Sequence, residues 1–338
     1  MINDELASEI ISRELDLNRY DASLRKKVIS LLKELDADIQ GKLKGNLSEW
    51  NRTRLNEQLR MMRESITDYY KQIKELTTDE LTGVAVSETK FLQNAVNTLT
   101  GVDMFSSLPS ANQLAVLADQ SGVQGAVTSA WWARQGADMY FRVATQIRMG
   151  YGSGEAIGTI ANRVQQQMDI GKRNAEALVR TSVHTISSNA RERMYKENSS
   201  VIKGKLYVAV LDNRTSLQCI AYDGSTYDMD NKPIGKKSLP YRELPAHWNC
   251  RSMYMPILKS FKEIGSSFPE MPKSTRSSMD GQVPEDMTFK DFLAKKSKSF
   301  QDEVLGKGKA QLWRDGKITL QQLLDQTGNP IPLKELDK

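Results

Sequence analysis

Residues 205–224 read KLYVAVLDNRTSLQCIAYDG, and residues 244–258 read LPAHWNCRSMYMPIL. In the first stretch Leu206, Val208 and Val210 alternate with Tyr207, Ala209 and Leu211, the period of a strand. Asp212-Asn213 breaks the run as a turn. Thr215 is placed to cap a short helix over 216–223, and Gly224 stands where a C-cap glycine is expected. The run RSMYMPIL over 251–258 closes the stretch as a second β-run. Most of the chain before it follows the helical period instead. The sequence therefore predicts a mostly α chain carrying a small α+β module, with a small antiparallel sheet near 205–258.

Both cysteines of the chain, Cys219 and Cys250, fall in this stretch, with His247, one of its two histidines. Thiolate sulfur and imidazole nitrogen are zinc ligands, so Cys219, His247 and Cys250 are candidate metal ligands. Zinc takes four, and the fourth would be Asp212, Asp223, another carboxylate or water. A single H-x-x-C with a distant cysteine lacks the paired C-x-x-C spacing of a strong zinc motif. A disulfide formed in an oxidising medium and plain packing stay open beside the metal. A catalytic metal lacks a general base placed by the sequence, as the Glu of H-E-x-x-H would be. Asp212, Arg214 and Thr215 form a D-x-R-T turn. With Asp223, Gly224 and Arg251 they read as a structural clasp in which Arg214 pairs with a carboxylate such as Asp223. A catalytic arginine is the alternative. The chain has no G-x-x-x-x-G-K-[ST] loop and no G-x-S-x-G elbow, so nucleotide-dependent and hydrolase chemistry have no motif here.

Outward from the module, residues 1–100 read as long polar helices. Leu24, Val28, Leu31, Leu32 and Leu35 fall at helical spacing, followed by Leu55, Leu59, Met62 and Ile66, and then ETKFLQNAVNTL. Proline is absent before Pro109. The run GKLKGNLSEWNRTRL reads as a break followed by a capped start. Residues 101–130 read as a linker with one short helix, and Trp131-Trp132 as a buried anchor for the next helix. Residues 131–204 read as a central helical bundle of three helices, which with 205–258 makes one domain. Residues 259–338 read as an extended linker and a helical tail.

The net charge is +5, with 26% charged and 39% hydrophobic residues. Mean hydropathy is −0.51. These values fit a folded, rather polar chain. From Arg142 to Lys205 the chain carries eleven Lys/Arg against five Asp/Glu, so the positive balance is concentrated there. Arg163, Lys172, Arg173, Arg180, Arg191 and Arg193 are the candidate contacts to DNA phosphate or an acidic partner, against the plainer reading of a solvated helix face. Arg180 and His184 lie at i and i+4, and a structural role is expected for that histidine. Two cysteines make no disulfide scaffold, the acidic N-terminus is no secretory signal, and no window reaches the length of a membrane span. A soluble chain made in a cytoplasm is expected.

The run LDNRTSLQCIAYDG followed by PAHWNCRSMYMPI resembles the phage head morphogenesis family, the Mu F-like minor head proteins. The matching positions are Asp212, Arg214, Thr215, Cys219, Asp223, Gly224, Pro245, His247, Cys250 and Arg251. Arg180-Thr181-Ser182-Val183-His184 resembles the family's R-T-E-[VT] helix and departs from it at Ser182. Ser252 stands where many members carry a further cysteine. The resemblance spans about 130–258. It implies a structural virion protein of a tailed phage rather than an enzyme, made in the host cytoplasm and carried in the head interior or at the portal vertex. Its implied partners are the portal protein and the major capsid protein, with several copies around the portal. Its implied work is head assembly and DNA packaging or ejection, with non-specific contact to double-stranded DNA. The alternative is a DNA-binding or DNA-processing enzyme delivered with the virion, which would need a catalytic set in 260–338; none is seen there.

Overall fold

The structure, a computed structural model, describes residues 4–44, 52–235, 238–260, 262–264, 275–284, 286–325 and 328–336. The chain runs through α1 (Asp4–Lys44), α2 (Arg52–Thr100), α3 (Ala111–Gln120), β1 (Gly122–Val123), β2 (Ala126–Val127), α4 (Thr128–Gly152) and α5 (Ile157–Glu197). Then come β3 (Ile202–Val208), α6 (Leu217–Tyr222), β4 (Thr226–Tyr227), β5 (Met253–Leu258), β6 (Thr275–Ser278) and β7 (Gly281–Pro284). The short helices α7 (Phe289–Ala294), α8 (Lys298–Leu305), α9 (Lys307–Arg314) and α10 (Leu333–Leu336) complete the chain, with a 3-10 turn at Gln321–Leu323. The mostly α class with a small antiparallel sheet is as the sequence predicts. No helix among the described residues is long and apolar enough to cross a membrane.

Two compact units result, one of residues 17–86 and 111–186, the other of 1–16, 87–110 and 187–338. The first is a helical bundle. The α1 stripe of Leu24, Val28, Leu32, Leu35, Ile39 and Leu43 is buried, as the helical spacing requires. Polar bonds fix the helix pairings. Lys27 of α1 reaches Glu80 of α2 at 2.5 Å, and Lys42 reaches Ser65 at 2.6 Å, so these helices run antiparallel. Trp132 Nε1 of α4 donates to Thr77 Oγ1 of α2 at 2.8 Å, the buried anchor expected of that tryptophan. Gly136 lies against the Tyr70 ring, where an added Cβ would stand 3.2 Å from it. Arg180 and Lys172 of α5 pair with Asp21 and Asp36 of α1. The bundle is thus built from the N-terminal helices as well as the central ones.

Several predicted boundaries shift. The apolar run at 88–99 is the end of α2, and the two helices expected over 151–198 are one helix of 41 residues. A lone glycine in a helix costs only about 1 kcal/mol, so neither Gly83 nor Gly171 interrupts. The capped start expected within 45–51 lies outside the described residues. The small β1–β2 hairpin was not anticipated.

The second unit is organised on the antiparallel sheet β4-β3-β5. Alternation on β3 places side chains on two cores, since successive residues face opposite ways. Val208, with Met253, Met255 and Leu258 of β5, packs with Leu6, Ile10, Leu92, Val96, Phe105 and Tyr195. Tyr207, Ala209 and Leu211, with Tyr254 of β5, pack with Cys219, Ile220, Tyr222 and Tyr227. Leu305, Ala310, Leu312, Leu320, Leu323 and Leu324 join this second core, so the C-terminal segment is covered by the body of the protein. The linker expected after 259 is in part a hairpin, β6–β7, whose turn returns to the module: Met279 N donates to Leu211 O at 3.1 Å. The remainder of that expectation, 265–274, lies outside the described residues. The helical tail is broken within 288–305 into α7 and α8, because Ser297 caps a new start by accepting from Phe300 N.

Candidate functional site

The second core ends in a polar corner where α6 meets the turn before β5. Ser216, not Thr215, is the N-cap of α6: its Oγ accepts from Cys219 N at 3.2 Å. Thr215 Oγ1 instead donates to Val210 O at 2.5 Å and lies 3.1 Å from Asp212 Oδ1. That arrangement ties the end of the β3 run to the helix start. The cap delivers Cys219 into the interior from the first turn of α6.

His247 and Cys250 come from the other side, on a tight turn. Cys250 N donates to His247 O at 3.1 Å, and Asn249 between them has φ +61°. Asparagine tolerates this left-handed conformation better than most residues. The Leu244–Pro245 bond that leads into the turn is cis. Cys219 Sγ lies 3.7 Å from Cys250 Sγ and 3.3 Å from His247 Nε2. The ligand atoms of all three residues fall within 4.8 Å of one another. The structure thus brings together the three residues the sequence singled out, and both cysteines are free thiols.

Orientation is set by the surroundings. His247 Nδ1 lies 2.9 Å from Trp248 O. A carbonyl only accepts, so Nδ1 carries the proton and Nε2 faces the sulfurs. Ser216 Oγ is 2.8 Å from Nε2, and Tyr207 Oη donates to Cys219 Sγ at 3.3 Å. Bonding from Cys250 foremost, with His247 and Ser216 adding to it against burial, holds the Cys219 thiol well below its ordinary value. Cys250 is pushed well above its own by the sulfur of Cys219 and by burial. The bond to Cys219 raises His247, against its burial. Burial pushes the Tyr207 phenol well up. Cys219 is therefore the thiol that ionises first.

The clasp around this corner differs from the expected pairing. Arg251, not Arg214, is the partner arginine: its Nη1 and Nη2 lie 2.7 and 2.9 Å from Asp212 Oδ2 and Oδ1. The fork geometry of guanidinium suits such a two-point contact. Burial opposes ionisation of Asp212, and Arg251 outweighs it, holding the carboxyl below its usual range. Arg214 is exposed, and its backbone N–H donates to Asp212 Oδ1. Asp223 takes backbone partners instead, accepting from Ala209 N at 2.7 Å and Phe289 N at 2.6 Å. It thereby ties β3 and α7 to the end of α6. Gly224 comes next with φ +84°, and its N–H returns to Tyr207 O. Neither Asp212 nor Asp223 is left to complete a metal site.

The candidate DNA-contacting cations are mostly engaged within the protein. Arg191 is 2% exposed and lies between Glu88 and Glu14, so it presents no charge to a phosphate. Arg163 pairs with Glu155, Lys172 with Asp36 and Asp169, Arg180 with Asp21 and Arg193 with Glu197. Arg173 is exposed. His184 is buried in α5. Sequence reasoning missed Ser216 and Tyr207 as members of the corner. The signals were present, since Ser216 directly precedes the helix and Tyr207 alternates onto the face that carries the cysteines.

No curated protein and no solved structure matches the chain. Residues 142–255 match the family described as Phage Mu protein F like protein. That span holds the R-T helix, the D-x-R-T turn, the cysteine pair and the clasp, and the match agrees with the likeness of those motifs to the phage head morphogenesis family.

Proposed function

We propose that this protein is a structural minor head protein of a tailed phage, bound at the portal vertex in several copies and assisting head assembly and DNA packaging or ejection. The observation that carries the reading is the family match over 142–255. The chemistry of the matched motif supports a structural role. Asp212, Thr215, Asp223 and Arg251 are all spent on bonds that hold α6, β3 and α7 together. Partner contact then falls to the helical surfaces. On α4, Phe141 is 70% exposed and Met149 55%, with the exposed Arg148 between them. Apolar groups in such company are common at protein interfaces. With most of the basic segment internally paired, DNA contact is weak and salt-sensitive and rests on Arg173 and Arg148.

The test is co-expression with the portal protein of the same phage, then size-exclusion chromatography and cryo-EM of intact heads. Co-elution, with density for this chain at the portal vertex, is expected, and Phe141→Glu should weaken the complex while the variant stays folded. Elution apart from portal together with absence from purified heads would overturn the reading.

A further inference from the structure

The chemistry of the Cys219–Cys250–His247 corner is independent of the head-protein reading. Around a tetrahedral zinc ion, bonds of about 2.3 Å to sulfur and about 2.0–2.1 Å to nitrogen place two sulfurs about 3.8 Å apart and a sulfur and a nitrogen about 3.6 Å apart. The two sulfurs here are 3.7 Å apart, and Cys219 Sγ is 3.3 Å from Nε2. Both separations from Cys219 are thus already close to those of a tetrahedral zinc site, and the remaining one, between Cys250 and the imidazole, lies within 4.8 Å, so a small turn of the ring closes the face. The imidazole is turned as a ligand must be. Its Nδ1–H is held by Trp248 O, and that outer bond fixes the tautomer that leaves Nε2 as the donor. Charge points the same way. A lone thiolate between buried groups is costly, whereas two thiolates around one divalent cation make a neutral centre. Cys219 and Cys250 are 2% and 1% exposed.

We propose that Cys219, Cys250 and His247 bind one zinc ion, with a water as fourth ligand, and that the ion is a structural staple between α6 and the 247–250 turn. Soft sulfur and borderline imidazole donors in this geometry select zinc over magnesium or calcium. On binding, the two thiols release two protons and His247 binds as the neutral imidazole, so the centre carries no net charge. A small cavity lined by Ser216, Cys219, His247, Asn249 and Ser252 opens beside the donors, with room for about one water. The Ser216 hydroxyl, now 2.8 Å from Nε2, is placed to turn to that water once zinc takes Nε2. The role is structural because both clasp carboxylates are spent, Asp212 on Arg251 and Asp223 on the backbone of Ala209 and Phe289, and neither is left to serve a ligand water as a base.

The experiment uses the full chain purified under reducing conditions. Zinc is measured per chain by elemental mass spectrometry, and the two thiols are titrated with a disulfide reagent before and after chelation. One zinc per chain is expected, with both thiols protected until the chelator removes it. Cobalt loading is expected to give thiolate-to-cobalt charge-transfer bands with the visible spectrum of a four-coordinate ion, lost in Cys219→Ser and Cys250→Ser. The thiol titration on the unaltered protein keeps the test valid if those variants fail to fold. Zinc well below one per chain after dialysis against zinc, or thiols that react equally fast with and without it, would overturn the proposal. So would a Cys219–Cys250 disulfide in a chain that takes up no metal when reduced.

Discussion

Replacing Arg191 by methionine removes the cation at the centre of a buried charge cluster. Arg191 Nε lies 2.6 Å from Glu88 Oε1, and Nη2 lies 3.3 Å from Glu14 Oε2. Arg13 Nε closes the set from the rim, 3.0 Å from the other oxygen of Glu88. The Arg191 and Glu88 side chains are 2% and 0% exposed, so water offers them almost no compensation. At an effective dielectric of about 20, each such contact is worth about 4 kcal/mol before desolvation. Most of that sum offsets the burial of the ions, so the pair's net contribution is far smaller than the contacts suggest. Removing one partner is another matter: the carboxylates stay buried and lose the Arg191 cation, with Arg13 left on Glu88 only at the rim, and the measured cost of breaking such a buried pair is about 3–5 kcal/mol. For a unit of this size the cost corresponds to a fall of about 6–20 °C in Tm. Calorimetry of the purified variant measures it. The deficit should persist in concentrated salt, because buried pairs are poorly screened. Adding Glu14→Gln should recover part of it, since one stranded charge is then gone. Arg60→Ala is the control: Arg60 also touches two glutamates, yet it is 56% exposed and solvent screens both pairs, so its loss should leave the melting temperature almost unchanged. If Arg191→Met lost no more than that control, the cluster would be hydrated and the reasoning wrong.

Other substitutions have equally definite outcomes. Gly204→Ala on β3 should destabilise by about 1–3 kcal/mol, because the new Cβ would stand 2.4 Å from the Tyr227 carbonyl oxygen. Gly83→Ala in α2 meets no atom within 4 Å and should stabilise by about 0.5–1 kcal/mol; denaturant midpoints of the two variants in the reverse order would refute this. Bonds from Lys27 first and then Tyr20, against burial, hold the Glu80 carboxyl below its usual range. An unfolded glutamate titrates near about pH 4.3, so Glu80's contribution is complete above that value and is lost as pH falls through the lower folded value. Thermal melts in steps of pH on the acid side should therefore show a shallower decline for Glu80→Gln than for the parent; parallel profiles would show that the pair contributes nothing.

The sequence made the sheet and the corner readable for a definite reason. Tyr207 and Val208 announce two buried faces by strict alternation, and both faces are buried. The two cysteines and His247 are so scarce in this chain that their shared stretch was itself a signal. What resisted reading was settled at long range. Nothing local tells whether Asp212 bonds Arg214, two residues on, or Arg251, thirty-nine residues on. The two-point contact needs β5 in register beside β3, and only the folded sheet supplies that. The basic segment misled for a similar reason, since the carboxylates that neutralise Lys172, Arg180 and Arg191 lie on α1 and α2. The leucines after 300 follow no clean period because they fill gaps in a core begun a hundred residues earlier.

The core around Met253 and Met255 joins Leu6 and Ile10, from the first helix, to Leu92, Val96 and Phe105 and then to β3 and β5. On the ribosome this sets a waiting time. The residues of the helical bundle are all synthesised once Ile186 has emerged. Leu6, Ile10, Leu92 and Val96 must then stay uncovered until β5 appears some seventy residues later, on the order of ten seconds at ordinary translation rates. Their exposure in that interval makes the nascent chain a client for hydrophobic capture, by chaperones or by another copy being made on the same messenger. Slow translation between residues 187 and 258 should lengthen the hazard, and the yield of soluble protein should be more sensitive to synonymous codon changes there than anywhere in the bundle.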